Sequence, residues 1–410
     1  MLGNKVVSSP LVAALVALAV RLLAHNFSHH IHLPYHFGIT TSKTGSEIWK
    51  EAVFWKQQFG VVPAFLTTVG PWFMEYIPPA SSDAYVIFLC LCDALTVYIV
   101  SRWPSAKPQL TYALFVLNPI MALLPMLESL APLEHVLLAV ILECCRKRRI
   151  HPWLIFAARL LAPLLGFHFI AIIVALWYPV GTPCPKIALV GVALCTACIG
   201  GCGMLYLRWW GEHVERTSLY SPPDNGVMWY VRLLIMAAFH RSMEVGQIEL
   251  PAVLTLIFST GVPCEKEAAA ETMKDGGAIP GDRRLLVTLL AICFSKLFCE
   301  HVILADYMIT VFFLYSLLEV KGRGGFKSML DRVRGLNIFL PICTVLLGVP
   351  LQYAFYTGWV MWDMANPNWV FFPQVAFVTG GGLFLLAFVN SLVDAMKEEC
   401  VAGITKEKQA

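Results

Sequence analysis

Few residues in this chain could do chemistry, and most of them sit where an apolar run is interrupted. The richest interruption is Met361-Trp362-Asp363-Met364-Ala365-Asn366-Pro367-Asn368-Trp369, between two runs long enough to cross a bilayer. Each asparagine carboxamide offers donors and an acceptor, and Pro367 between them has a fixed φ. Such a pair suits a sugar or phosphate headgroup, with Trp362 at its side. The same residues also fit a plain helix-to-helix turn, with asparagines capping backbone groups and tryptophans in an interfacial belt. Asp93 lies inside an apolar run, where an aspartate costs about 2.5 to 3.5 kcal/mol on insertion scales. It must face the bundle interior or a wet cavity, as a relay, a ligand or the partner of another helix. Asn118-Pro119 reads as a kink in which asparagine satisfies a carbonyl freed by proline. Arg232, His240, Arg241 and Glu244 give one span a charged side that could meet a phosphate or snorkel to the surface.

Other groupings look chemical and are weaker. His25, His29, His30, His32 and His36 crowd one segment but lack Cys or carboxylate partners at ligand spacing, so a polar loop is expected there and no metal site. Cys195, Cys198 and Cys202 share a helix face with Gly200, Gly201 and Gly203, a pattern that lets helices pack closely. Gly380-Gly381-Gly382 lies inside a span and reads as packing, with no phosphate-binding glycine loop and no nucleophile motif elsewhere. The first long loop has only Glu47, Glu51, Glu75 and Asp83, none adjacent or alternate, so no acid and base pair or cation site is expected. Neither a catalytic residue nor a cofactor is expected.

These residues are carried by a chain of 410 residues that is 58% hydrophobic and 14% charged, with a mean hydropathy of +0.68. That composition lies outside the soluble range and predicts an all-α polytopic membrane protein. A net charge of +3 is too small to argue for nucleic acid, and thirteen cysteines mostly inside apolar runs do not form a disulfide framework. Apolar runs at 11–24, 84–100, 109–127, 130–145, 153–178, 186–207, 227–240, 247–262, 285–299, 302–319, 336–360 and 370–396 predict about ten to twelve crossings or re-entrant helices in a single domain, 1–410. Pro163 splits the run at 153–178, and the pair around Cys299 to Asp306 reads as re-entrant.

Between the first two runs, Thr44 and Glu47 form a capping box, followed by Ile48, Ala52, Trp55 and Phe59 at helical spacing, as in a helix lying in the interface. Basic loops at Arg102 and Lys107, at Arg146 to Arg149 and at Lys321 to Arg334 predict cytosolic sides. Counting from them puts 25–83, the turn from Glu128 to Glu134, 209–226 and 361–369 on the lumenal side. The flexible loop 263–284 and the tail 397–410, like both termini, are then cytosolic. The tail ends in a dilysine pattern, Lys406-Glu407-Lys408, of the kind that retrieves proteins to the endoplasmic reticulum.

Four stretches, taken in order, give the chain a family likeness. They are Asp93-Ala94-Leu95-Thr96; Leu117-Asn118-Pro119 in a span ending at Glu128-Ser129; Trp229-Tyr230; and Asn337-Ile338-Phe339 through Ala365-Asn366-Pro367-Asn368 with aromatics after it. In this the chain resembles the PIG-U family, the polytopic subunit of the glycosylphosphatidylinositol (GPI) transamidase. It departs where the family has an aromatic run with a glutamate after Trp-Tyr, here Arg232 and His240, and a Tyr-Pro-Thr-Val-Gly-Asp stretch, of which Asp306 alone is kept. The resemblance implies a fold related to the lumenal (GT-C-like) mannosyltransferases without their carboxylates, and a non-catalytic role in binding and presenting the GPI lipid. It further implies a cysteine-protease-like catalytic subunit, a PIG-T-like subunit, a Gaa-type subunit and a further membrane subunit as partners. Asn366, Asn368, Trp362 and Asp93 become the GPI-binding residues. A GPI-pathway mannosyltransferase and a membrane transporter are the competing readings. The first lacks its carboxylates and the second lacks a polar midplane path.

Overall fold

A computed structural model describes residues 9–28, 46–60, 77–79, 82–103, 106–146, 303–317, 336–364 and 366–407, with isolated positions at 230, 254, 288, 289, 291, 292 and 296. Among the described residues every regular element is helical, and three helices are long and apolar enough to cross a membrane, or four if one bent pair counts as a span. That is compatible with a membrane-embedded protein. The expected spans 153–178, 186–207, 227–240 and 247–262 and the loop 263–284 lie outside the described residues, apart from Tyr230 and Leu254.

The first helix, α1 (Pro10–Ser28), starts with a proline at the position where the missing N–H costs nothing. Ala13, Ala17 and Arg21 recur every four residues and are buried, whereas Leu11, Leu15 and Leu23 are exposed. The alanine stripe lets α3 (Asp83–Ser101) approach closely, as small residues do between helices in lipid. The Oγ of Ser82 caps α3 by accepting from the Tyr85 amide at 3.1 Å. On α3, Ile87, Leu91 and Leu95 form an exposed stripe, and Leu89, Asp93, Thr96 and Val100 face inward. Between them in sequence, α2 (Ser46–Phe59) forms as the periodicity predicts, with Val53 and Trp55 packed on the core and Phe54 and Phe59 exposed. Thr44 of the expected capping box lies outside the described residues.

The run at 109–127 is broken. A short helix, α4 (Pro108–Thr111), continues as a π-turn through Tyr112–Val116, and α5 (Pro119–Met126) follows at a bend of 48°. Asn118 satisfies both sides of the break: its Nδ2 donates to the Leu114 carbonyl at 3.1 Å and its Oδ1 accepts from the Ile120 amide at 3.0 Å. Next, α6 (Ala131–Arg146) is buried on nearly every face from Ala131 to Leu142, as a central helix must be. Glu134, expected in a turn, is inside this helix and buried, where it pairs with Lys296. Lys296 also meets Asp306 at 3.0 Å, at the start of α7 (Leu304–Leu317). Asp306 begins that helix by accepting from the Ile303 amide at 2.9 Å.

The last two helices form an antiparallel hairpin. The first, α8 (Leu336–Tyr356), extends through a π-turn at Thr357–Met361, and α9 runs from Pro367 to Glu407. Two boundaries differ from expectation. The final helix starts at Pro367 rather than at 370, because Asn366 caps it and proline suits a first helical position. It also continues past 396 into the expected tail, whose Lys397, Glu398 and Glu399 are good helix formers. Gly381 behaves as the packing reading predicts, since its missing side chain is where the Tyr307 ring sits.

Candidate functional site

The two sets of residues singled out in the sequence occupy different environments. Asp93 is completely buried and its Oδ2 accepts from Arg21 Nε at 2.5 Å. The guanidinium spreads over a further set of acceptors: Nη1 donates to the carbonyls of Ala17 at 3.2 Å and Val116 at 3.4 Å, and Nη2 to Phe115 at 3.3 Å. It also lies over the Phe115 ring, 5.0 Å from the centroid. Phe115 and Val116 are the carbonyls left without helical donors by the break, because Pro119 has no N–H and the Ile120 amide is turned to Asn118. Arg21 therefore replaces two helical hydrogen bonds of the kinked segment, and Asp93 neutralises the charge that does so. This joins α1, α3 and the broken span, and it leaves Asp93 one oxygen, Oδ1, that bonds to nothing. Its chemistry is that of a buried structural ion pair.

The second set is at the hairpin tip. Asp363 adopts φ +52°, and the chain turns so that Trp362, Asn366 and Asn368 are all exposed. The Oδ1 of Asn366 accepts from the Asn368 amide at 3.0 Å, which is a helix cap. Asn368 Oδ1 accepts the hydroxyl proton of Tyr230, a residue 138 positions earlier. The Tyr230 ring stacks on Phe371 at 4.1 Å, and Phe355 meets Trp369 edge to face at 5.4 Å. Val370 is buried in a cluster with Tyr230, Phe355, Tyr356, Trp359 and Phe371. Both asparagines are exposed, and their Nδ2 groups take no part in these contacts. The arrangement thus offers two amide donors held in fixed relation, which suits phosphate or hydroxyl oxygens.

Asn366, Asn368 and Trp362 are brought together by one turn, and Asp93 is not part of it. Of the histidine group only His25 is described, 3.9 Å from Asp83, and among the described residues no cluster of three metal-ligating side chains occurs. Arg232, His240, Arg241, Glu244 and the Cys195, Cys198 and Cys202 group lie outside the described residues. No protein-family model and no curated protein matches this chain.

Sequence reasoning missed two partners. Arg21 is the only charge in the run 11–24 and Asp93 the only one in 84–100, so opposite signs in two apolar runs were the available signal. Tyr230 was visible as part of a motif, but nothing local connects it with Asn368.

Proposed function

We propose that this chain is a non-catalytic, PIG-U-like subunit of a GPI transamidase in the endoplasmic reticulum membrane, which helps bind and present the GPI lipid at the tip of its last hairpin. The observation that carries the reading is the Tyr230 to Asn368 hydrogen bond with its stacked Phe371. It joins two stretches that the family likeness picked out separately. The remaining motif residues have local work that any fold would need: Asn118 and Asn366 cap helices, Ser129 accepts from the Ala131 amide, and Asp93 balances Arg21. At the tip, Asn366 and Asn368 are exposed.

In this reading the hairpin tip is lumenal, both termini are cytosolic, and the fold is of the GT-C-like class. The partners are the cysteine-protease-like catalytic subunit, the PIG-T-like and Gaa-type subunits and a further membrane subunit. Asn366 and Asn368 hold the phosphate or first sugar of the GPI headgroup. Replacing both with Ala removes two net hydrogen bonds of about 0.5 to 1.5 kcal/mol each. GPI attachment should then fall roughly ten-fold, with complex assembly intact. Complex recovery in mild detergent and surface GPI-anchored protein are measured side by side. Full attachment in an assembled double variant would sink the clamp, and failure to recover any transamidase subunit with the wild-type chain would sink the assignment.

A further inference from the structure

The last hairpin is divided between two cores. At its base, Phe377 and Leu385 belong to the main core of the bundle, and Val349, Val378 and Phe384 pack against that core. Toward the tip, Val370 and Tyr230 are the buried centre of a separate cluster with Phe355, Tyr356, Trp359 and Phe371. The division therefore falls between Val349 and Phe355 on α8 and between Phe371 and Phe377 on α9. Each interval holds a proline, Pro350 in one and Pro373 in the other. Gly348 backs onto Phe377 and the Pro373 carbonyl, and Phe355 meets Trp369; the antiparallel register that these contacts set puts Pro350 level with Pro373. Pro341, the other proline of α8, has no proline at its level on α9.

A proline inside a helix withholds an N–H from the carbonyl four residues back, and it is where helices kink. Pro350 and Pro373 thus weaken both helices at one depth, which is also where the hairpin passes from one core to the other. Gln352 lies in the same layer. It is completely buried between the exposed Leu351 and Tyr353, and neither its Oε1 nor its Nε2 has a hydrogen-bond partner. An unbonded carboxamide makes this packing costly, and leucine would fill the space without that cost. The carbonyl that Pro373 leaves without its helical donor is that of Trp369, on the facing helix one turn toward the tip. We propose that the hairpin is hinged at Pro350 and Pro373. Its tip, residues 351–372 with Tyr230 attached, swings as one body against a base fixed to the bundle, and in the swung state Gln352 Nε2 donates to the Trp369 carbonyl. From Pro373 to Asn366 the lever is about 10 Å at the helical rise, so a swing of about 30° carries the exposed tip about 5 Å. The hinge follows from the packing and stands whether or not the tip holds a lipid.

The test uses the full chain with whatever subunits copurify, in phosphatidylcholine vesicles, with spin-labelled amino acids incorporated at Met364 on the tip and Leu91 on the exposed stripe of α3. Pulsed electron resonance reads the distances between them. Wild-type protein should give two distances separated by about 5 Å. The Pro350→Ala, Pro373→Ala double variant should collapse them to one, with a thermal midpoint at or above wild type, because each alanine restores a helical donor. Gln352→Leu, with both prolines in place, should lower the swung fraction several-fold, and it tests the hinge without relying on the proline variant to fold. Labels at Leu383 and Leu91, both outside the tip, should give one distance in every variant. A single distance in wild-type protein overturns the proposal, as does a second distance that persists in a folded double variant or that appears equally between Leu383 and Leu91. An unchanged swung fraction in folded Gln352→Leu overturns the bond to the Trp369 carbonyl.

Discussion

The interior junction at Arg21 and Asp93 and the tip at Asn366 and Asn368 both place polar side chains within otherwise apolar surroundings, and they use them in opposite ways. At the junction every strong donor is consumed: Arg21 spends its guanidinium on Asp93 and three carbonyls, and both side chains are completely buried. At the tip the asparagine oxygens are used internally, by the Asn368 amide and Tyr230, the nitrogens take no part in these contacts, and both residues are exposed. A polar residue in an apolar run is thus poor evidence of a binding site by itself. What separates the two cases is which atoms remain unspent, and whether a ligand could reach them.

Asp93→Ala gives the largest effect expected from this contrast. It strands a buried guanidinium, and breaking a buried pair from one side costs about 3 to 5 kcal/mol. Yield of monodisperse protein in detergent should collapse. Arg21→Lys should also lose stability, since an ammonium keeps the charge but cannot span Asp93 and the Phe115 and Val116 carbonyls together. An Asp93→Ala protein that stays well folded and loses only lipid capture would move Asp93 back among the ligand residues.

Where the bundle meets the hairpin, Gly381→Ala comes next. Its Cβ would overlap the Tyr307 ring, and overpacking of this kind costs about 1 to 3 kcal/mol. A lower thermal midpoint should follow, partly restored by Tyr307→Leu and not by Tyr307→Phe, because ring carbons as well as the hydroxyl occupy the space. Equal rescue by both would place the strain elsewhere.

Tyr230→Phe is milder. It keeps the stack on Phe371 and removes one hydrogen bond, worth about 0.5 to 1.5 kcal/mol. Global stability should barely change, while headgroup preference in vesicle capture should weaken, because Asn368 loses the contact that orients it. An unaltered preference would show that Asn366 alone positions the turn. The smallest effects belong to Glu51→Ala and Asp83→Ala, both at exposed carboxylates, where surface changes usually stay within about 0.5 kcal/mol. GPI attachment should stay within a few-fold of wild type, and loss of a mannose-transfer product in either folded variant would favour the transferase reading.

Residue types and spacing were enough to mark the apolar helices, the helix α2, the kink at Asn118-Pro119 and the inward placement of Asp93. Those follow from local physics: proline withholds a donor, asparagine and serine cap, and a charge inside an apolar run has to turn away from lipid. The run-on of α9 through Glu407 was not legible, because the polar residues after 396 read as a tail although they are good helix formers. Partner choice was decided only by the tertiary structure. Arg21 meets Asp93 across 72 residues and Tyr230 meets Asn368 across 138, separations over which no periodicity carries information. Nor do the apolar residues by themselves tell which side of these helices turns inward. On α3 the exposed Leu91 and Leu95 are as apolar as the buried Leu89 and Val97, since lipid and protein core solvate both equally well. The same indifference hid Gln352, whose inward placement depends on α8 packing against α9 at Gly348 and Phe377, a contact that only the assembled hairpin makes.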